Sequence, residues 1–63
     1  MTIKRIRVIL HSSVIIYEVG ENNVDDIIDR SDEDATSLWV CTNTDGDVIH
    51  LIENCSVIVD YAH

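Results

Sequence analysis

The chain has 63 residues, a net charge of −8 and a pI near 4.3, and 46% of its residues are hydrophobic. This length predicts a single domain over residues 1–63, and the hydrophobic fraction argues against disorder. An acidic chain is repelled by nucleic acid and by anionic membranes, so direct nucleic-acid binding is disfavoured and no membrane partner is expected.

Charge is divided unevenly along the chain. Residues 1–17 contain Lys4, Arg5 and Arg7 and no acid, whereas residues 18–63 contain all twelve acids and one cation, Arg30. Because Phe is absent, the core must be built from Ile, Val and Leu, and this β-branched composition favours strands. No secretory signal or membrane-length apolar run is visible, so we expect a cytoplasmic protein with reduced thiols.

Two strands are predicted at the start of the chain. Residues 3–10 alternate between Ile6 or Val8 and the polar Arg5 and Arg7, the period of a half-buried strand. Residues 14–19 are apolar except for Glu18 and predict a second strand that ends at Gly20. The polar residues 11–13 between them predict a turn, so the two strands should form a hairpin.

An acidic segment, residues 21–34, comes next. Seven carboxylates lie in it against one cation: Glu21, Asp25, Asp26, Asp29, Asp32, Glu33 and Asp34. Val24, Ile27 and Ile28 are spaced at i, i+3 and i+4, which predicts a helix of at most two turns with its acids mostly on the opposite face. Residues 31–36 then read as an exposed acidic loop.

Three further strands are predicted over residues 38–43, 48–52 and 56–61. The pair Asp45-Gly46 indicates a two-residue type I′ hairpin turn. In the resulting register the residues that face each other are Thr42 and Ile49, Cys41 and His50, Val40 and Leu51, and Trp39 and Ile52. Both faces of this hairpin are apolar, so something should cover each of them, either by curling of the sheet or by a second copy. A homo-oligomer is therefore expected.

The predicted fold class is mainly β, bordering on α+β. It comprises about five antiparallel strands in a small curled sheet or barrel, with one short acidic helix between strands two and three. A flat sheet with the helix packed on one face is the alternative.

Motifs for catalysis or for metal binding are missing. The oxygen ligands around Gly46 do not fit a calcium loop, because Cys41 and Ile52 would occupy its first and last positions. Cys41 and His50 are a usable pair of zinc ligands, but paired-ligand spacings are absent. A Cys41–Cys55 disulfide is geometrically possible if strands three and five are adjacent, but the reducing cytosol disfavours it. The sequence predicts no enzyme activity, no catalytic residues, no metal site and no cofactor.

The leading functional hypothesis is a non-enzymatic interaction module. Its seven carboxylates would imitate phosphates and so bind, and inhibit, a basic nucleic-acid-binding protein. By analogy of type alone, small acidic β-rich chains of this kind serve phages and mobile elements. The simplest competing explanation is that the acids only keep an apolar-rich protein in solution.

Other hypotheses give the chain a different role. One is a homo-oligomeric module that binds a small ligand or metal between subunits, with Arg5, Arg7, Trp39 and His50 as the ligand-binding residues. A second is self-recognition, in which the basic first strand of one copy meets the acidic segment of another, unless Arg5 and Arg7 pair with acids inside one chain. A third is an assembly protein whose edge strands, one and five, pair with another chain.

Overall fold

The structure is a computed structural model that describes residues 2–31 and 37–62. Within these ranges it contains six strands and no helix: β1 (Ile3–Ile9), β2 (Val14–Glu18), β3 (Asp26–Asp29), β4 (Leu38–Thr42), β5 (Val48–Glu53) and β6 (Ser56–Tyr61). The strands form two antiparallel sheets, sheet A in the order β2-β1-β6 and sheet B in the order β3-β4-β5. The mainly β prediction is confirmed, whereas the single curled sheet or closed barrel is wrong.

The chain passes between the two sheets through two short connections. It leaves sheet A through Gly20, Asn22 and Asn23 and returns to it through Asn54, and all four residues have positive φ. Such residues turn the chain sharply. β2 does not pair with β3, and β5 does not pair with β6, so the strands do not close into a barrel.

The core lies between the two sheets. It is built from Ile6, Val8, Val24, Ile27, Trp39, Cys41 and Ile52. In β1, the central strand of sheet A, the alternation read from the sequence puts Ile6 and Val8 inside and Arg5 and Arg7 outside. Small aliphatic side chains with one Trp are thus enough to fill the space between two three-stranded sheets.

The acidic helix predicted from the spacing of Val24, Ile27 and Ile28 is replaced by a turn and a strand. Val24 N donates to Glu21 O (3.0 Å), and Asn22 and Asn23 have φ values of 50° and 68°, the backbone of a type I′ turn. Asn tolerates this left-handed conformation, and a two-turn helix has little stability of its own. Ile27 is buried, whereas Ile28 lies on the other face, as strand alternation requires.

The turn between β4 and β5 differs from the predicted type I′ turn. Only Gly46 has positive φ (84°), and Gly46 N donates to Asn43 O (3.0 Å). The Asn43 Oδ1 atom accepts from Asp45 N (3.1 Å) and Asp47 N (2.9 Å), which stabilises a longer loop with Gly in the left-handed position.

This longer loop changes the register near the turn. The predicted pairs Trp39–Ile52, Val40–Leu51 and Cys41–His50 are confirmed, but Thr42 faces Val48 and not Ile49 because of a bulge.

The order of the strands corrects one further expectation. β1 is the central strand of sheet A and not an edge, whereas β6, the predicted fifth strand, does lie at an edge. Cys41 and Cys55 are both free thiols, and the predicted third and fifth strands, β4 and β6, belong to different sheets and are not adjacent. Sheet A covers the inner face of the β4–β5 hairpin, while Leu51 on its outer face is 56% exposed.

Candidate functional site

The carboxylates of the acidic segment are distributed along a turn and a strand. Glu21 opens the type I′ turn, Asp25 follows that turn, and Asp26 and Asp29 are the first and last residues of β3. All four are exposed. Asp32, Glu33 and Asp34 lie outside the residues that the structure describes.

Asp26 and Asp29 lie on opposite faces of sheet B. Asp26 is paired with Thr42, and Asp29 with Trp39, three positions apart on an alternating strand. The prediction that Asp25, Asp26 and Asp29 share one helical face is therefore wrong, because residues 26–29 are extended.

Two more carboxylates belong with the first part of the segment. Asp25 N donates to Thr42 O (2.7 Å), and this bond places the turn after β2 beside the turn that follows β4. A depression between the two turns is lined by Asn22, Asn43 and Asp45. The exposed residues Glu21, Asp25, Asp26, Asp45 and Asp47 are hereafter called the acidic end.

Sequence reasoning missed Asp45 and Asp47. Asp45 gives only a turn signal in the sequence, whereas the structure places it and Asp47 in the turn that lies beside Asp25 at one end of sheet B. Among the described ion pairs none involves the acidic end.

Asp29 is separated from this group at the far end of β3. Ser31 lowers the pKa of Asp29, first through its hydroxyl and then through its N–H, which lies 2.9 Å from Asp29 Oδ1. Glu53, the last residue of β5, is paired with Leu38 and lies at this same end of sheet B.

The two arginines of β1 are paired within the chain. Arg5 Nη1 lies 3.1 Å from Glu18 Oε1, and Arg5 Nε lies 3.0 Å from Asp60 Oδ2. Arg7 Nε lies 3.2 Å from the same Asp60 oxygen. Pairing of Arg5 and Arg7 with acids inside one chain is thus confirmed. The charges of these four side chains cancel, so of the three cations of β1 only Lys4 has no described ion pair.

These ion pairs occupy one end of the outer face of sheet A. The neighbouring row across the strands is Ile16, Arg7 and Ile58, of which Ile16 is 56% and Ile58 46% exposed. The next row contains Val14 and Ile9, also exposed. Over two rows, the outer face of sheet A therefore changes from ion pairs whose charges cancel to exposed apolar side chains.

The four residues of the alternative ligand site are not brought together. Arg5 and Arg7 lie on the outer face of sheet A, whereas Trp39 is 8% exposed in the core between the sheets. His50 packs against Tyr17, with ring centroids 4.7 Å apart and an interplanar angle of 46°. Sheet A therefore separates the two arginines from Trp39.

The Cys41–His50 pair is a poor metal site. The two residues face each other as predicted, but Cys41 is fully buried and burial raises the pKa of its thiol. A metal needs the thiolate. Residues 2–31 and 37–62 contain no group of three or more His, Cys, Asp or Glu that could hold a metal ion. The same ranges contain no helix long and apolar enough to cross a membrane.

Comparison of the chain with protein-family models, with curated proteins and with solved structures gives no match.

Proposed function

We propose that this protein is a small non-enzymatic interaction module that binds a basic protein through its acidic end. The observation that carries the proposal is the contrast between two groups of carboxylates. Glu18 and Asp60 are paired with arginines on sheet A, whereas the carboxylates of the acidic end are exposed and have no described ion pair. Their field is therefore available to a cationic partner.

The backbone of the acidic end supports specific binding. Gly20 N donates to Val24 O (2.8 Å), and the bond between Val24 N and Glu21 O closes the turn that carries Glu21. Asn43 similarly holds the amides of Asp45 and Asp47. Carboxylates on turns that are already ordered lose little conformational entropy on binding.

A nucleic-acid-binding protein is the partner class that suits this surface. Its binding groove is lined by Lys and Arg that normally contact phosphates, so carboxylates carried on ordered turns would compete for the groove and inhibit it. The proposed binding residues are Glu21, Asp25 and Asp26 of the acidic segment, together with Asp45 and Asp47. Asp29 is outside it, because it lies at the far end of β3.

A matched pair of double variants tests the position of the charges. Asp25→Asn/Asp45→Asn neutralises two acids of the acidic end, and Asp29→Asn/Glu53→Gln neutralises two at the opposite end of sheet B. The probe is a lysine-rich peptide of about ten residues, titrated into labelled protein and followed by NMR. We expect the first variant to bind about 3–10-fold more weakly than the second, since an exposed ion pair contributes roughly 0.2–1 kcal/mol.

The salt dependence and the location of the shifts complete the experiment. Affinity should fall as salt rises, and the largest chemical-shift changes should lie at the two turns. The same variants should differ in their ability to release a short DNA duplex from a basic DNA-binding protein. Equal weakening by both variants would show that only net charge matters, which is the solubility explanation.

A further inference from the structure

β2 is an edge strand of sheet A with apolar side chains exposed on both of its faces. Val14, Ile15 and Ile16 are 53%, 40% and 56% exposed. Ile15 is paired with the buried Val8, so its side chain points to the inner side of the sheet and still reaches solvent. The layer formed by sheet B does not cover this part of the strand.

The free backbone groups of β2 can be identified from its register. Ser13 O accepts from Leu10 N (2.8 Å), and Val19 N donates to Lys4 O (2.9 Å), so odd-numbered residues direct their N–H and C=O toward β1. Val14 and Ile16 therefore direct theirs away from the sheet. In the described part of the chain the N–H and C=O groups of Val14 and Ile16 have no backbone partner on that side.

The other sheet edges present fewer exposed apolar residues. β3 begins and ends with Asp. β5 and β6 carry one acid each, Glu53 and the ion-paired Asp60, and neither strand has two exposed apolar residues in a row. β2 has three exposed apolar residues in a row, and its one acid, Glu18, is paired with Arg5. Charged residues on edge strands are a common protection against pairing, and β2 lacks this protection from residue 14 to residue 17.

We infer that β2 pairs antiparallel with β2 of a second copy of this chain, across a twofold axis at Ile15. In this register Val14 faces Ile16 of the partner subunit, and every free N–H and C=O of these two residues finds a partner. Ile15 faces Ile15 of the partner subunit in a close pair, with Cα atoms roughly 4.5 Å apart. Over residues 14–16 the register therefore joins apolar side chains to apolar side chains.

Hydrogen bonding favours this register, and charge opposes a second copy least at β2. The chain carries a net charge of −8, so two copies repel one another, and this repulsion is weakest where the surface is neutral, as it is at β2 and the adjoining ion pairs. A register centred on Ile16 would place Val14 opposite Glu18. The Glu18 C=O already accepts from Glu21 N (3.1 Å) and is not free.

This interface is independent of the proposed binding of a basic partner. The chain runs from the C-terminal end of β2 through Gly20 into the acidic end. Because the two β2 strands run in opposite directions, the acidic ends of the two copies would lie at opposite ends of a six-stranded sheet. One strand per copy makes a small contact, so we expect reversible association at high protein concentration.

Amide hydrogen exchange tests the pairing in the unmodified protein. The amides of Ile15 and Tyr17 face β1 and should be protected at every concentration. Those of Val14 and Ile16 should become protected only as concentration rises from about 10 µM to 1 mM. Exchange at Val14 and Ile16 that does not change with concentration would overturn the proposal.

Charge-swap variants test the position of the axis. Ile15→Lys and Ile15→Glu each place like charges directly opposite one another, so each should weaken self-association by about tenfold or more. Mixing the two should restore association as a heterodimer. Ile58→Lys, on another edge of the same sheet, is the matched control and should associate as the wild type does.

Each outcome of the swap decides the question. Loss of association in each Ile15 variant by itself, with recovery when the two variants are mixed, supports the twofold axis at Ile15. Loss in Ile58→Lys as well, or no recovery on mixing, would overturn it in favour of packing through the outer face. If an Ile15 variant does not fold, the concentration dependence of exchange in the wild type still decides.

Discussion

At the scale of single residues, Cys41 and Cys55 have opposite surroundings. Cys41 is fully buried beneath sheet A, and burial raises the pKa of its thiol. Cys55 is half-buried, and its Sγ contacts Glu53 O at 3.3 Å. Because the thiolate is the reactive form and must meet the reagent, these two thiols should differ in reactivity.

We predict that a thiol-alkylating reagent modifies Cys55 alone in the native protein and both cysteines in denaturant, as read by mass spectrometry. Cys55→Ala is the matched control and should take up no label while folded. Rapid native labelling of Cys41 would contradict its burial.

The raised pKa of the Cys41 thiol also makes the free energy of unfolding depend on pH. Because this pKa is higher in the folded state than in the unfolded state, the thiol makes its full contribution to stability below the unfolded pKa. The free energy of unfolding should then fall as alkaline pH rises through the folded pKa.

At the scale of elements, the turns depend on residues that tolerate positive φ. Asn23 has a φ of 68° in the turn that leads to β3, and the β-branched Ile27 and Ile28 then continue as a strand. Considered alone, the spacing of the apolar residues Val24, Ile27 and Ile28 fits a helix equally well. Two consecutive Asn residues were the stronger signal, since they form a type I′ turn.

We predict that Asn23→Val lowers the free energy of unfolding by about 1–2 kcal/mol, because a β-branched residue is strained at positive φ. Asn23→Gly is the matched control and should be neutral or slightly stabilising. Urea unfolding of both variants measures the difference. A Val variant as stable as the Gly variant would show that the turn changes conformation at no cost.

Strand patterns were predictable from the sequence, and the arrangement of strands was not. Alternation in β1 identified Ile6 and Val8 as core residues, and the β4–β5 hairpin identified the Cys41–His50 pair. Both are local signals. The pairing of Arg5 with Asp60 joins residues 55 positions apart, and no local pattern carries such a contact. Asp45 and Asp47 of the acidic end were missed for the same reason, since they lie in a different turn from Glu21 and Asp25.

At the scale of the whole molecule, charge opposes folding. Twelve acids and four Lys or Arg residues give the net charge of −8, and the described ion pairs neutralise only Glu18 and Asp60. Compaction brings the remaining carboxylates closer together, notably at the acidic end. Salt screens this repulsion more than it weakens a few exposed ion pairs, which contribute little.

We predict that raising NaCl from about 0.01 M to 0.3 M increases the free energy of unfolding by about 0.5–1 kcal/mol at low protein concentration. Asp25→Asn/Asp45→Asn should show a smaller increase, because part of the repulsion has been removed. Thermal unfolding at several salt concentrations measures both. A decrease with salt in the wild type would mean that the ion pairs on sheet A outweigh the repulsion.

Because Trp39 is buried, its intrinsic fluorescence reports on the packing of the core. Trp39 is the one tryptophan in the chain, and it lies in the core between the two sheets. Its emission should therefore follow the separation of the sheets, and red-shift as water reaches the indole. Ligands that dock on the acidic end or along β2 can leave that emission unchanged, so a silent fluorescence titration would not mean that nothing has bound.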